Sequence, residues 1–218
     1  MEAIATPSTH PLPIPREPHA AVWRYLNFAK FMWLLEAGAL FLPYTDLFPD
    51  VLEGGRRPPR DDARASTRRA AVSSWHASEH ESEAMWRIYS PPQEALALRS
   101  TYERLRAGLP DYVRIHLVQY ADNPPEDDDP LSPFFFKRRA YEHEKELRAV
   151  VGRPPAGSDA IEEKNGWQLP VDVGQVIERV YVSPFSQQWF YDLVRGVIRR
   201  YGLTIPVERS ELTGTVQR

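Results

Sequence analysis

The stretch KRRAYEHEKELR, Lys137 to Arg148, crowds five cations and four glutamate or histidine side chains around one tyrosine. Within it Glu142, Glu144 and Glu146 alternate with period two, with Arg148 next in the series. On a strand such residues share a face; on a helix, neighbours in the series point about 200° apart. The helical reading has support, because Glu144 and Arg148 stand at i,i+4 in the favourable order and would lace a solvated helix. The strand reading draws on the adjoining LRAVVG, which carries two valines and ends at Gly152 before a proline pair. A helix-to-strand change near His143 or Glu144 then brings Glu144, Glu146 and Arg148 onto one face. Two glutamates so spaced make a paired-carboxylate site, in which one holds a sugar hydroxyl or stabilises positive charge while the other orients a nucleophile.

Other chemistry is thinly represented. His76 and His80 stand at i,i+4, with His143 elsewhere, but no H-E-x-x-H frame is present and no metal is expected. Trp75 and Trp86 read as a core wall with a polar edge. There is no cysteine, which excludes disulfides, thiolate metal sites and a cysteine nucleophile and fits a reducing compartment. No G-x-S-x-G, P-loop or G-x-G-x-x-G frame occurs, against hydrolase-elbow, Walker-type and dinucleotide-fold readings.

The elements that would position these groups are short. WRYLNFAKFMWLLEAGALF reads as a strand at Val22 to Tyr25, Asn27 as N-cap, a helix Phe28 to Ala37 ended by Gly38, and a strand Ala39 to Leu42. AVSSWH reads as a strand, and SEHESEAMWRIY as a helix capped by Ser78 with Glu81 in the capping-box position. ALALRS is a strand, TYERLRAGL a helix, YVRIHLVQY an alternating strand and LRAVVG another. The end of the chain reads as helix then strand in VDVGQVIERVYVSP, a helix from Ser186 to Tyr201, and a last strand in TIPVERS. Trp75, Trp86, Phe31, Met32, Leu35, Val118, Val150 and Val182 are expected in one core.

At 218 residues with a net charge of -3, the chain suits one domain and has no global pull toward nucleic acid or membrane. Residues 1 to 20 read as a disordered, proline-punctuated arm and residues 21 to 212 as the domain. The basic patch lies at residues 53 to 71, where Arg56, Arg57, Arg60, Arg64, Arg68 and Arg69 suit an exposed loop or a phosphate-contacting arm. No segment approaches the roughly 20 apolar residues of a membrane span, so a cytoplasmic protein is expected. Short strands mixed irregularly with helices predict an α+β fold.

The ordered set WRYLNFAKFMWLLEAGALF, SSWHASEHESEAMWRIYS, LRSTYERL, VQYAD, FFKRRAYEHEKELR and IERVYVSP resembles an uncharacterised prokaryotic family, domain of unknown function 2971. The match runs over residues 22 to 210. The family pattern falls on Arg24 and Tyr25, on Met85, Trp86 and Tyr89, on Lys137 and Tyr141, and on Glu144, Glu146 and Arg148. The chain also resembles ADP-ribosyltransferases of the arginine-serine-glutamate type: Arg24, Ser100 with Thr101, and Glu144 with Glu146 stand in that family's chain order. The triplet RST lacks that family's second serine, and Ser100 or Thr101 could simply cap the helix TYERL.

This second resemblance implies an ADP-ribosyltransferase-like central split sheet flanked by helices, use of NAD, and a toxin or antiphage defence effector. It assigns Arg24 to the pyrophosphate, Ser100 to bracing the pocket, Glu146 to the ribose and Glu144 to the acceptor, a protein or nucleic acid. Tyr25, Thr101, Lys137 and Arg148 would complete the cofactor contacts. A metal-dependent nuclease or nucleic-acid-binding protein using the arginine loop with Lys137, Glu144 and Glu146 is the competing reading. A non-catalytic interaction domain, with Glu144, Glu146 and Arg148 as a buried polar network, is the third.

Overall fold

The computed structural model describes residues 11–47, 70–89, 92–122 and 129–212. The first ten residues of the expected arm, and all six arginines of the basic loop, lie outside the described residues. In chain order the chain forms β1 (Ala21–Asn27), α1 (Phe28–Ala37), β2 (Ala39–Pro43), β3 (Ala71–Ala77), α2 (Glu83–Ile88), β4 (Ala95–Thr101) and α3 (Tyr102–Gly108). Then come β5 (Arg114–Leu117), β6 (Gln119–Tyr120), β7 (Phe136–Lys137), β8 (Glu146–Val151), β9 (Ile161–Glu163) and β10 (Gly166–Pro170). The chain closes with α4 (Val173–Val176), β11 (Arg179–Val182), α5 (Gln188–Arg200) and β12 (Val207–Arg209). Among the described residues no helix is long and apolar enough to cross a membrane.

The protein is a mixed helix-and-strand structure with a mixed sheet. Its chain divides into two compact units, each discontinuous in sequence. The first takes Met1–Pro15, Phe41–Ser74 and Pro110–Leu169; the second takes Arg16–Leu40, Trp75–Leu109 and Pro170–Arg218.

In the second unit the strand order is β12, β11, β4 and β1, with residues 75–77 of β3 beside β1. β1 pairs antiparallel with β4 along its whole length, from Ala21 opposite Thr101 to Asn27 opposite Ala95. β4 pairs antiparallel with β11, and β11 runs parallel to β12. The turn from β1 into α1 follows from Asn27, whose side chain accepts the Lys30 amide, and Gly38 ends the helix at φ 55. A buried cluster of Trp23, Tyr25, Met85, Trp86, Ala95, Ala97 and Tyr181 lies under α2.

That helix begins later than the sequence suggested. Ser82, not Ser78, caps α2 by accepting from Met85 N. Ser78 is held to β1, because its amide donates to the Ala21 carbonyl and its carbonyl accepts from the Trp23 indole at 2.8 Å. Glu81 serves no capping box; it accepts from the Trp86 indole, the Ser210 hydroxyl and the Glu211 amide.

In the first unit β8 pairs antiparallel with β5, with His116 opposite Arg148 and Leu117 opposite Leu147. The expected strand YVRIHLVQY breaks in two at Val118, whose amide turns to the Glu146 carbonyl at 2.8 Å. After the break β6 runs parallel to β7, with Tyr120 opposite Lys137. The hairpin of β9 and β10, which the sequence reading did not assign, begins its second strand at Gly166. A Cβ there would stand 2.1 Å from the Leu42 carbonyl oxygen, so only glycine fits. Leu12, Ala70, Val72, Phe134, Phe135, Phe136 and Val150 form the buried cluster of this unit. Leu12 thus belongs to a core, although the sequence reading placed it in the arm.

The eight residues expected in one core are divided between the units: Trp86 belongs to the cluster of the second and Val150 to that of the first. Met32 is only half-buried; the other seven are buried.

Candidate functional site

KRRAYEHEKELR follows neither simple reading from end to end. Lys137 ends β7, Arg139–Glu144 form a 3₁₀ turn, and Glu146 opens β8. Between them Lys145 takes the left-handed conformation at φ 42, the one positive φ outside glycine among the described residues. A non-glycine side chain in that region is sterically disfavoured, by on the order of 1 kcal/mol or more. The reversal it makes lets Glu144, at the end of the turn, and Glu146, at the start of the strand, reach the same cation.

That cation is Lys137. Its Nζ donates to Glu144 Oε2 at 2.6 Å and to Glu146 Oε1 at 2.7 Å, and lies 4.6 Å from the centre of the Tyr141 ring. Arg148 holds Glu146 from the other side: Nε donates to Oε2 at 2.7 Å and Nη2 to Oε1 at 3.1 Å. The third arm of the guanidinium, Nη1, donates to the Phe134 carbonyl at 2.9 Å. Tyr120 fixes the backbone of the same residue, its hydroxyl accepting from Glu146 N at 2.8 Å. All four charged residues are buried, Glu146 with 4% and Arg148 with 1% of its surface exposed. The structure therefore brings together Lys137, Glu144, Glu146 and Arg148, with the last two on one strand face; Glu144, expected on that face as well, ends the turn before the strand and reaches the cluster through the reversal at Lys145.

The two carboxylates have opposite proton affinities. Burial by itself would raise Glu146, but the Arg148 charge and hydrogen bonds, with help from Lys137, hold it far below the usual carboxylate range. For Glu144, burial and the neighbouring Glu146 outweigh Lys137 and push it upward. Burial raises the Tyr120 phenol to about 12, so it stays neutral.

Two residues of this neighbourhood were not among the site residues expected from the sequence. Tyr120 acts through a backbone amide, which leaves no pattern. His116 stands opposite Arg148 on β5 and its ring meets Phe135 edge-on at 5.0 Å; burial and then Arg114 lower its pKa. Only the alternation of the β5 segment could have placed it.

The remaining candidates lie in the second unit. Arg24 pairs with Leu98, and Ser100 with Val22, so both side chains stand on one sheet face as diagonal neighbours. Arg24 is half-buried with its guanidinium 5.8 Å from the Trp75 ring centre, and burial lowers it to about 10. Ser100 is fully buried, and its hydroxyl donates to the Val176 carbonyl at 2.5 Å. Tyr25 and Thr101 point to the opposite face, since each follows its neighbour on the strand. Tyr25 packs edge-on against Trp86 at 5.0 Å, and its hydroxyl accepts from Ser82 N. Thr101 caps α3 by accepting from Arg104 N. The four residues grouped by the resemblance are thus split two and two.

His76 lies on β3 and His80 in the bend after it, so the two share no helical face. Among the described residues no group of three or more His, Asp or Glu is placed to hold a metal ion.

No family model matches the chain, and no curated protein matches it. Among solved structures it is similar to Thermus sp. 2.9 DarT in complex with carba-NAD+, with a TM-score of 0.43 and 14% identity over 90% of this chain and 97% of that one.

Proposed function

We propose that the chain is an ADP-ribosyltransferase-like enzyme with NAD as substrate, and that the Glu144 and Glu146 pair is its reacting centre. The observation that supports this reading is the divergence of two carboxylates on one ammonium: Glu146 is kept ionised while Glu144 is pushed toward carrying a proton. Cleavage of a glycosidic bond uses such a pair, a fixed anion for the oxocarbenium-like carbon and a second carboxyl to take the proton of the incoming nucleophile. Lys137 and Arg148 act on the pair rather than on the substrate, the first holding both carboxylates in register and the second keeping Glu146 charged. Within the second unit Arg24 is the candidate for a phosphate contact, with Ser100 bracing its strand through Val176. Tyr25 and Thr101 are assigned to holding α2 and α3.

One observation favours a second reading, a non-catalytic domain fixed by an internal polar network: two cations balance two buried carboxylates. Glu144→Gln separates the two, because this side chain can lose its charge without stranding Arg148. The enzymatic reading expects NAD cleavage by the wild-type protein, a fall of about a hundredfold in the variant beyond any loss of folded protein, and thermal stabilisation by NAD through mass action. Absence of both NAD cleavage and NAD stabilisation in the folded wild type would refute it in favour of the network.

A further inference from the structure

Helix α5 turns Phe190, Val194, Val197 and Ile198 inward, yet its outer side is not polar throughout. Trp189 and Leu193 are 54% and 40% exposed. The same stripe continues through Gly196, where an added Cβ would meet no atom within 4 Å, and ends at the exposed Arg200. Large exposed apolar groups in a row are the informative kind of exposure.

The intervals along this stripe are four, three and four residues, and they read the same backwards. A second helix of the same sequence, laid antiparallel about a twofold axis between Leu193 and Gly196, therefore meets the first in register. Leu193 then lies over the open space at Gly196 of the second copy, and Trp189 lies against the Arg200 guanidinium of that copy, a cation over an aromatic face. Asp192 and Arg199 border the stripe on one side. Antiparallel pairing about such an axis sets like flank against like flank, so Asp192 meets Arg199 of the second copy, and the contact occurs twice. Leucine faces glycine, indole faces cation and carboxylate faces guanidinium, so the surface is complementary to itself in shape and in charge.

We propose that the outer stripe of α5 is a self-association surface whose occupant is a second copy of this chain, bound antiparallel through Trp189, Asp192, Leu193, Gly196, Arg199 and Arg200. A helix of 13 residues is about 20 Å long. One such face covers less than the roughly 800 Å² per partner of a stable interface. The dimer is accordingly weak and concentration-dependent.

Sedimentation equilibrium on the full chain, from about 1 to about 500 µM, tests this. The expected result is a shift from monomer toward dimer across that range. Asp192→Arg should weaken association about tenfold or more by facing arginine with arginine twice. Adding Arg199→Asp should restore it to within about threefold, a reciprocity that only the antiparallel pairing provides. Gly196→Met gives an independent arm, since it replaces a poor helix former: its melting temperature should hold or rise while association weakens. A wild-type chain that stays monomeric throughout, or a charge-swapped double variant no better than the single, would overturn the proposal.

Discussion

The buried charge cluster makes a quantitative demand on stability. Lys137 and Arg148 balance Glu144 and Glu146, so the cluster is neutral in total although every member is nearly removed from water. Replacing Glu146 by methionine leaves two cations facing one carboxylate. Arg148 loses both of its bonds to the carboxylate and keeps the Phe134 carbonyl among its named partners. Stranding a buried charge in this way costs about 3 to 5 kcal/mol, a large share of the roughly 5 to 15 kcal/mol that a folded protein has in total. At about 2 to 4 °C per kcal/mol for a chain of this size, the midpoint should fall by on the order of 10 °C.

Arg148→Met strands Glu146 with Lys137 and should cost a similar amount. The double variant removes one charge of each sign, leaves Lys137 with Glu144, and fills the space with apolar groups. It should therefore cost much less than the sum of the singles, with a coupling of at least about 2 kcal/mol. Urea unfolding of the four proteins at neutral pH measures all the terms. Additive single effects, or a loss below about 1 kcal/mol in either single, would mean that the two charges are not paired in the interior.

Three further outcomes are expected. Trp86→Ala removes a fully buried indole that packs on Tyr25 and donates to Glu81, and should cost about 3 to 5 kcal/mol; a loss below about 1 kcal/mol in chemical denaturation would place it outside a packed core. Lys145→Gly should be neutral or stabilising because φ 42 suits glycine, whereas Lys145→Val should cost about 1 to 3 kcal/mol; equal midpoints for the two would contradict the left-handed reversal. The pH dependence of Glu144 follows from its raised proton affinity: its stabilising effect is full below its unfolded value near 4.3 and is lost as pH rises through the folded value. The stability of wild type relative to Glu144→Gln should fall as pH rises above about 4.3, and a flat difference from about pH 4 to 8 would remove the upward shift.

What the sequence disclosed and what it withheld divide by the range of the interaction. Asn27, Gly38 and the apolar spacing between them define α1 because a cap, a left-handed terminus and a helical stripe all act within a few residues. The period of Glu144, Glu146 and Arg148 likewise placed the last two on one face of β8, while Glu144 falls in the turn before it. The delayed start of α2 was hidden, since Ser78 is a sound cap by its type and is disqualified only by backbone bonds to Ala21 and Trp23, more than fifty residues away. Lys145 was hidden for another reason: its type gives no hint of a left-handed backbone, and only the closure of Glu144 and Glu146 on one ammonium accounts for it.

The pairs Arg24 with Tyr25 and Ser100 with Thr101 show a limit that strand geometry itself imposes. Each was grouped by what the resemblance implies, but neighbours on a strand point to opposite faces, and β1 and β4 pair without interruption through all four positions. No one ligand lying on that sheet can meet both pairs. The second pair is already engaged, Tyr25 with the Ser82 amide at the start of α2 and Thr101 with the Arg104 amide at the start of α3. Of these four residues only Arg24 carries a positive charge, so the proposed phosphate contact rests on it. Tyr25, though its neighbour, belongs to the packing that seats α2, so loss of its hydroxyl should register in the stability of that helix and leave substrate affinity unchanged.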